Sequence, residues 1–303
     1  MKFEITILGS SSATPIFNRN PSSQLLNINE KLFLIDCGEA TQQQMLRFGI
    51  NAHKIEHIFI SHLHGDHYLG LVGLLSTLHL NGRRKPLYIY APAELLEILN
   101  VQFKYSETTL KYPIEFHPTH TDQSGVIFEN ADVSVETIVL SHRIPCTGFK
   151  FSGKKRLPKI IKEKVDELNL STDEIKLIKK GFDYTAKTGR IYKTEELTTP
   201  APDPKSYAYC SDTICNWTYI DQIKNADLLY HEATFMNDML DRAAETFHTT
   251  ALQAGEIALK ANVRKLIIGH FSARYRDLQP LLDESRSVFP NTDLAIEGLT
   301  FEI

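Results

Sequence analysis

The stretch Ser61–His67, SHLHGDH, lies between the apolar run EHIFIS (56–61) and LGLVGLLSTLHL (69–80), whose apolar residues fall at 69, 71, 72, 74, 75 and 78. The first run reads as a buried strand and the second as a helix with a wide buried face, so the histidines fall on the tight connection between them. His62, His64, Asp66 and His67 offer three imidazoles and a carboxylate in the pattern H-x-H-x-D-H. Such a set is poor core material, and its imidazoles would repel one another if charged. A lone histidine is ordinarily a satisfied core or surface residue; four ligand-type side chains at this spacing suit divalent metal. The alternation predicts that His62 and His64 point to one side while Asp66 and His67 turn towards a second ion.

The same strand-then-ligand order recurs downstream. His142 follows VETIVLS, Asp212 follows SYAYCS and His270 follows KLIIG. Each emerges from a β-run, where an α/β architecture gathers its active site. Singly, each has an ordinary alternative, a loop histidine or an aspartate capping the turn SDT. Together with the first four they make seven ligands, the number two neighbouring ions typically take.

Strands are expected at KFEITIL (2–8), QLLNI, KLFLID, PLYIYAP, VSVETIVL (133–140), SYAYCSD, DLLYHEATF, KLIIGHFS and TDLAIEGL, and they alternate with helical patterns. The fold class is therefore α/β, with one core domain over 1–303 interrupted by an inserted arm at 150–195. Two short helical patterns in that arm, roughly 158–169 and 172–180, are separated by STDE, a capping-box arrangement. The chain has 33 Lys/Arg and 37 Asp/Glu, a net charge of −4, but residues 150–193 hold 13 Lys/Arg against 6 Asp/Glu. That segment carries +7 and the remainder −11, a polarity that suits docking to phosphates. Its ordinary alternative is a solvated helical face.

Cys37, Cys146, Cys210 and Cys215 form no C-x-x-C pair and no dense framework, which argues against a disulfide scaffold and a zinc knuckle and for reduced, partly buried thiols. No run approaches the ~20 apolar residues of a membrane span. The opening MKFEITILGSS lacks the layout of a signal peptide, so no membrane partner and a cytoplasmic location are expected.

HLHGDH with a downstream histidine, aspartate and histidine resembles the metallo-β-lactamase superfamily across essentially the whole chain. The stretches LGSSSATPIFNRNPSS (8–23), IDCGEATQQQ, HEATF, HTTALQAGEIA and GHFSARY resemble, in order, those of the ribonuclease Z family of tRNA 3′-processing endonucleases. The resemblance implies an αβ/βα sandwich with two zinc ions per subunit at one edge, manganese or iron being alternatives. It implies that His62, His64 and His142 hold one ion, that Asp66, His67 and His270 hold the other, and that Asp212 bridges them. It further implies that Asp36 orients the histidines, with turn capping as its alternative, and that Glu232 and His248 cooperate near the scissile bond. Glu232 as an ordinary turn residue stays open on spacing alone.

The expected function is removal of the 3′ trailer from precursor tRNA by hydroxide attack on a phosphodiester, leaving a tRNA 3′-hydroxyl. Asp66 would orient or deprotonate the nucleophile, and His248, positioned by Glu232, would protonate the leaving oxygen. Arg274 of GHFSARY would hold a substrate phosphate or pair with a local carboxylate. The arm resembles the family's tRNA-binding exosite, with Lys154, Lys155, Arg156 and Lys159 meeting phosphates. It departs from many family arms in lacking a glycine-proline-rich signature, offering Gly153, Pro158 and Gly181 instead. A homodimer is implied by the family's short members. Two rivals are another superfamily hydrolase, such as a thioester or lactam hydrolase or a small phosphodiesterase, and a binding scaffold on an inactive fold. The basic arm with the HEATF/HTT pair argues against the first, and the complete ligand set against the second.

Overall fold

Period-two burial organises the first half of the chain. Ile5, Ile7, Leu26, Ile28, Phe33, Ile35 and Phe59 join one buried cluster. Their strand neighbours Leu8, Leu25, Leu34, Ile58 and Ile60 join another. Alternate side chains of a strand point to opposite faces, so this sheet is covered on both. The protein, seen as a computed structural model, is described over residues 2–303 apart from Pro15 and Phe17. Those two residues of the 8–23 stretch lie outside the described part.

In chain order the first sheet is built from β1 (Phe3–Gly9), β2 (Ser23–Ile28), β3 (Lys31–Cys37), β4 (Ile55–Phe59), β5 (Leu87–Ala91) and β6 (Ile114–Pro118). Between them come α1 (Thr41–Arg47), α2 (Gly65–Leu80) and α3 (Glu94–Tyr105). The second sheet takes β7 (Val126–Glu129), β8 (Val133–Leu140) and β9 (Cys146–Gly153). A separate group follows: β10 (Lys159–Ile160), α4 (Lys162–Leu168), α5 (Thr172–Lys179), β11 (Tyr184–Thr185), β12 (Ile191–Tyr192), α6 (Thr194–Leu197) and β13 (Thr198–Thr199). The chain then rejoins the second sheet with β14 (Ser206–Cys210), α7 (Ile220–Ile223), β15 (Leu228–Glu232), α8 (Leu240–Thr246), α9 (Ala251–Lys260), β16 (Leu266–Gly269), α10 (Gln279–Arg286) and β17 (Thr292–Leu294). Finally β18 (Thr300–Glu302) returns to the first sheet.

The sheets run β18-β1-β2-β3-β4-β5-β6 and β17-β16-β15-β14-β9-β8-β7. Their inner faces meet through aromatic rings: Phe59 lies 5.4 Å from Phe149 and 5.3 Å from Phe151, edge to face. Outside the first sheet, Met45 of α1, Leu71, Leu74, Leu75 and Leu78 of α2, and Leu95 and Leu99 of α3 fill the second cluster. Against the second sheet pack Ala254, Ile257 and Ala258 of α9 and Leu281 of α10. This is an αβ/βα sandwich. β3-β4-β5 and β14-β15-β16 are parallel runs, so their C-terminal ends collect at one edge of each sheet. No helix among the described residues is long and apolar enough to cross a membrane.

Residues Gly153–Pro204 form a second compact unit with its own core of Leu170, Ile178, Tyr192 and Leu197. The capping box is present there: Ser171 Oγ accepts from the Glu174 amide, and the Ser171 amide donates to the Glu174 carboxylate. The arm expected at 150–195 and this unit differ at their ends. Lys150 and Ser152 belong to β9, paired with Ala208 and Ser206 of β14. Phe149 and Phe151 are buried while Lys150 between them points outward, so strand alternation had placed a lysine among the arm's charges. Between Gly153 and Pro204 stand 12 Lys/Arg and 9 Asp/Glu, a net +3.

One close approach fixes α2 on the first sheet. A Cβ at Gly70 would stand 2.1 Å from the Gly38 carbonyl oxygen and 3.0 Å from that of Cys37. Alanine favours a helix by ~1 kcal/mol over glycine, whereas overpacking against backbone costs about 1–3 kcal/mol. The second effect outweighs the first, so Gly70→Ala is expected to lower the thermal midpoint by several degrees in scanning calorimetry. An unchanged or raised midpoint would show that the helix slides freely on β3.

Candidate metal centre

Every predicted ligand stands at the edge where the parallel strands end. His62 follows β4, His142 follows β8, Asp212 follows β14 and His270 follows β16. His64 caps α2 in an extended conformation, and Asp66 and His67 lie in its first turn. Hydrophobic spacing alone places a loop up to residue 68. The helix starts earlier because its first turn carries the candidate ligands Asp66 and His67 rather than an apolar stripe, so hydrophobic periodicity begins late. An aspartate is also favoured there by the partial positive charge of a helix N-terminus.

The ligand atoms converge in two groups, His62, His64, His142 and Asp212, and Asp66, His67 and His270, each within 4.8 Å. In the first, His64 Nδ1 lies 3.0 Å from His62 Nε2 and 3.1 Å from His142 Nε2. Asp212 Oδ2 stands 3.6 Å from His62 Nε2 and 3.7 Å from His142 Nε2. In the second, Asp66 Oδ2 is 3.3 Å from both His67 Nε2 and His270 Nε2. Asp212 Oδ1 faces the same two nitrogens at 3.4 and 3.2 Å. One carboxylate therefore addresses both groups, one oxygen to each. His67 Nε2 and Asp212 Oδ1 are buried with no hydrogen-bond partner among the described residues. Orphaned buried polar atoms are costly, and a cation between them satisfies both. A nitrogen and oxygen donor set without thiolate fits divalent metal.

Electrostatics point the same way. Burial first, then neighbouring imidazoles, lower the pKa of His62 strongly and those of His64 and His142 as well. These rings are neutral and present lone pairs. Burial also disfavours charge on His67, but Asp66, Asp212 and Asp36 outweigh it and raise this histidine well above its ordinary value. Burial would raise Asp66, yet His67 and His270 hold it far below the usual carboxylate range. Such concentrated negative charge attracts a cation.

The other nitrogen of most rings is tied down. His67 Nδ1 donates to Asp36 Oδ2 at 2.7 Å, and His270 Nδ1 lies 2.9 Å from Thr234 Oγ1. His142 Nδ1 donates to the Phe247 carbonyl at 2.9 Å, and His62 Nδ1 meets Ser61 Oγ at 3.0 Å. Asp36 is fully buried at a left-handed φ of 54°. It also accepts from the Ser61 amide and hydroxyl and from Tyr209 Oη at 2.7 Å. Such partners orient metal-binding imidazoles. Asp36→Asn is accordingly expected to weaken metal binding roughly 10- to 100-fold, measured by titration with a chelating competitor. Unchanged affinity would reduce Asp36 to a strand-end residue.

Glu232, buried, and His248, half-buried, form a hydrogen-bonded pair. Glu232 Oε1 accepts from His248 Nδ1 at 2.9 Å and from the Thr213 amide, while Oε2 accepts from Thr234 Oγ1 at 2.6 Å and the Thr234 amide. Burial works against both charges, but each partner's charge and hydrogen bond outweigh it. Glu232 is lowered to about 2 and His248 raised to about 9. His248 also sits within reach of Asp212 and His270.

A cleft of about 440 Å³ opens over these residues, lined by His64, Asp66, Asp212, His248 and His270 and by the cations Arg143 and Arg242. Residues 3–180 match a family model described as Anti-Pycsar protein Apyc1. That span takes in His62–His67 and His142 but ends before Asp212, Glu232, His248 and His270. A Bacteroides fragilis protein named ribonuclease Z is 47% identical over 302 residues, covering 100% of this chain and 99% of its own. The chain belongs to the ribonuclease Z family. Human tRNase Z, short form, superposes with a TM-score of 0.72 at 26% identity, over 98% of each chain. The metallo-β-lactamase fold protein YhfI from Bacillus subtilis gives a TM-score of 0.71 at 18% identity, over 99% of each chain, a likeness of fold. The sandwich is the metallo-β-lactamase fold.

In this ribonuclease Z family member the fold brings together His62, His64, Asp66, His67, His142, Asp212, His270, Glu232 and His248, with Asp36 beneath them. Other predicted residues are not among these ligand and pair residues. Arg274 lies over the Phe235 ring, 5.3 Å from its centroid, with Nε on Ser272 Oγ and Nη1 against Met239 Sδ, and is not among the cleft-lining residues. Lys154, Lys155, Arg156 and Lys159 are in the second unit, where Lys155, Arg156 and Lys159 are exposed. Sequence reasoning missed Ser61, Tyr209 and Thr234, whose hydroxyls support the ligands, and Arg143 and Arg242. Thr234 lies inside the HEATF motif, which was the available signal.

Proposed function

We propose that this member of the ribonuclease Z family, a tRNA 3′-processing endoribonuclease, works with two zinc ions held by His62, His64, His142, Asp66, His67, His270 and the shared Asp212. His248 is its proton donor. The observation that carries the proposal is the meeting of two ligand groups at the two oxygens of Asp212, beside the Glu232–His248 pair. When bound, the ions supply a nucleophile at neutral pH and offset charge on the phosphate oxygens. Asp66, whose Oδ2 accepts from the Ala13 amide at 2.7 Å, orients the attacking water. Glu232 holds His248 through Nδ1, so that Nε2 gives its proton to the departing 3′ oxygen. As the bond from phosphorus to that oxygen breaks, the tRNA keeps a 3′-hydroxyl and the trailer carries the 5′-phosphate. The cations Lys154, Lys155, Arg156 and Lys159 meet tRNA phosphates, Arg274 holds a substrate phosphate, and the enzyme acts as a cytoplasmic homodimer, to be checked by light scattering. The deciding experiment is cleavage of a precursor tRNA with and without a chelator, mapping both product ends. Chelator-sensitive cleavage at the trailer junction is expected. Hydrolysis of bis(p-nitrophenyl) phosphate with no cleavage of the RNA would overturn the substrate assignment.

A further inference from the structure

The reaction outlined above leaves one cation of the cleft without a task. His142 Nδ1 donates to the Phe247 carbonyl, and the His142 ring lies 5.1 Å from that of His248. This bond ties the turn after β8 to the C-terminal end of α8. Arg143, next in the chain after His142, therefore lines the same cleft as His248 and Arg242. Arg242 is engaged, with Nη1 3.1 Å from Glu245 Oε2. Arg143 is exposed and has no hydrogen bond or ion pair among the described residues.

We propose that Arg143 binds the phosphodiester immediately upstream of the last tRNA nucleotide, on the 5′ side of the bond that is cut. The inference rests on the functional reading above. In that reading His248 protonates the 3′ oxygen of the last tRNA nucleotide, so this nucleotide occupies the His248 side of the cleft. The linkage joining it to its upstream neighbour then runs along the wall that carries Arg143. A guanidinium presents a planar fork of donors that matches two phosphate oxygens, and an arginine with no carboxylate to leave makes that contact without breaking another. Arg143 would thereby set which phosphodiester enters the site, holding the tRNA end in register, while Arg242 stays with Glu245.

A cycle between protein and substrate tests this contact. A precursor tRNA carrying one methylphosphonate at the upstream linkage lacks the charge and one oxygen that Arg143 would bind. Wild-type enzyme is expected to lose roughly 10- to 100-fold in kcat/KM on it, the scale of a hydrogen bond to a charged group. Arg143→Gln is expected to lose a similar factor on the unmodified precursor and nothing further on the methylphosphonate. Arg143→Lys should recover part of the loss. A methylphosphonate on the trailer side of the scissile bond should affect wild type and Arg143→Gln alike. Losses that multiply at the upstream linkage, or a wild type indifferent to it, would overturn the proposal, as would loss of metal from Arg143→Gln. Absence of any cleavage of unmodified precursor by wild-type enzyme would instead overturn the functional reading, and this inference with it.

Discussion

Asp212→Ala is expected to leave the purified protein with fewer than about one metal ion per chain and to lower precursor cleavage to near the background rate. No other side chain among the described residues addresses both ligand groups. Its two oxygens stand at 3.2–3.7 Å from four imidazole nitrogens, and Oδ1 has no other partner. Removing it takes a candidate donor that faces both groups and a negative charge from among five imidazoles, so losses at both groups are expected to be coupled. Asp212→Asn keeps the shape without the charge and should fall between. Metal analysis by mass spectrometry beside single-turnover cleavage provides the check. A variant that retains two ions would mean that the groups fill independently of this carboxylate.

His248→Ala is expected to reduce kcat by roughly 10²–10⁴-fold, the usual worth of a general acid, with metal content unchanged. Metal content is the discriminating readout, because His248 is also close enough to Asp212 and His270 to act as a ligand. An emptied site would assign it there instead. The pH profile supplies a second readout. His248 is raised to about 9, so its acid form is fully present below that value and is lost as pH rises through it. Glu232→Gln removes the partner that raises it while burial persists. The basic limb should then move down towards or below the ordinary ~6.5 of histidine. A limb that stays in place would separate the pair from proton transfer.

Much of the site was legible because metal chemistry restricts residue type: His, Asp and Glu at the ends of apolar runs are rare without a reason. The start of α2 was less so, since Gly65–Tyr68 contributes little apolar periodicity. β6 and β7 escaped notice as short strands at the outer edges of their sheets, the first ending on Pro118. β9 was masked by Gly148 and Lys150 among its buried residues. Arg143 carries no spacing signal of its own. Its place in the cleft comes from the bond between His142 and Phe247, a contact across 105 positions of chain. Tyr209 likewise reaches Asp36 only because the two sheets face each other.

The chain leaves the second sheet at Ser152 and resumes its pairing at Ser206, and these two residues face each other directly across an antiparallel rung. Whatever lies between them begins and ends at almost the same point. The entropy of closing such a loop grows slowly, by about 0.6 kcal/mol for each doubling of its length. A segment spliced in at this rung can lengthen, shrink or be exchanged while the strands that carry Asp212 and His142 keep their register. The inserted unit and the chemistry at the sheet edge can thus diverge separately within one lineage, the first by insertion and the second by substitution.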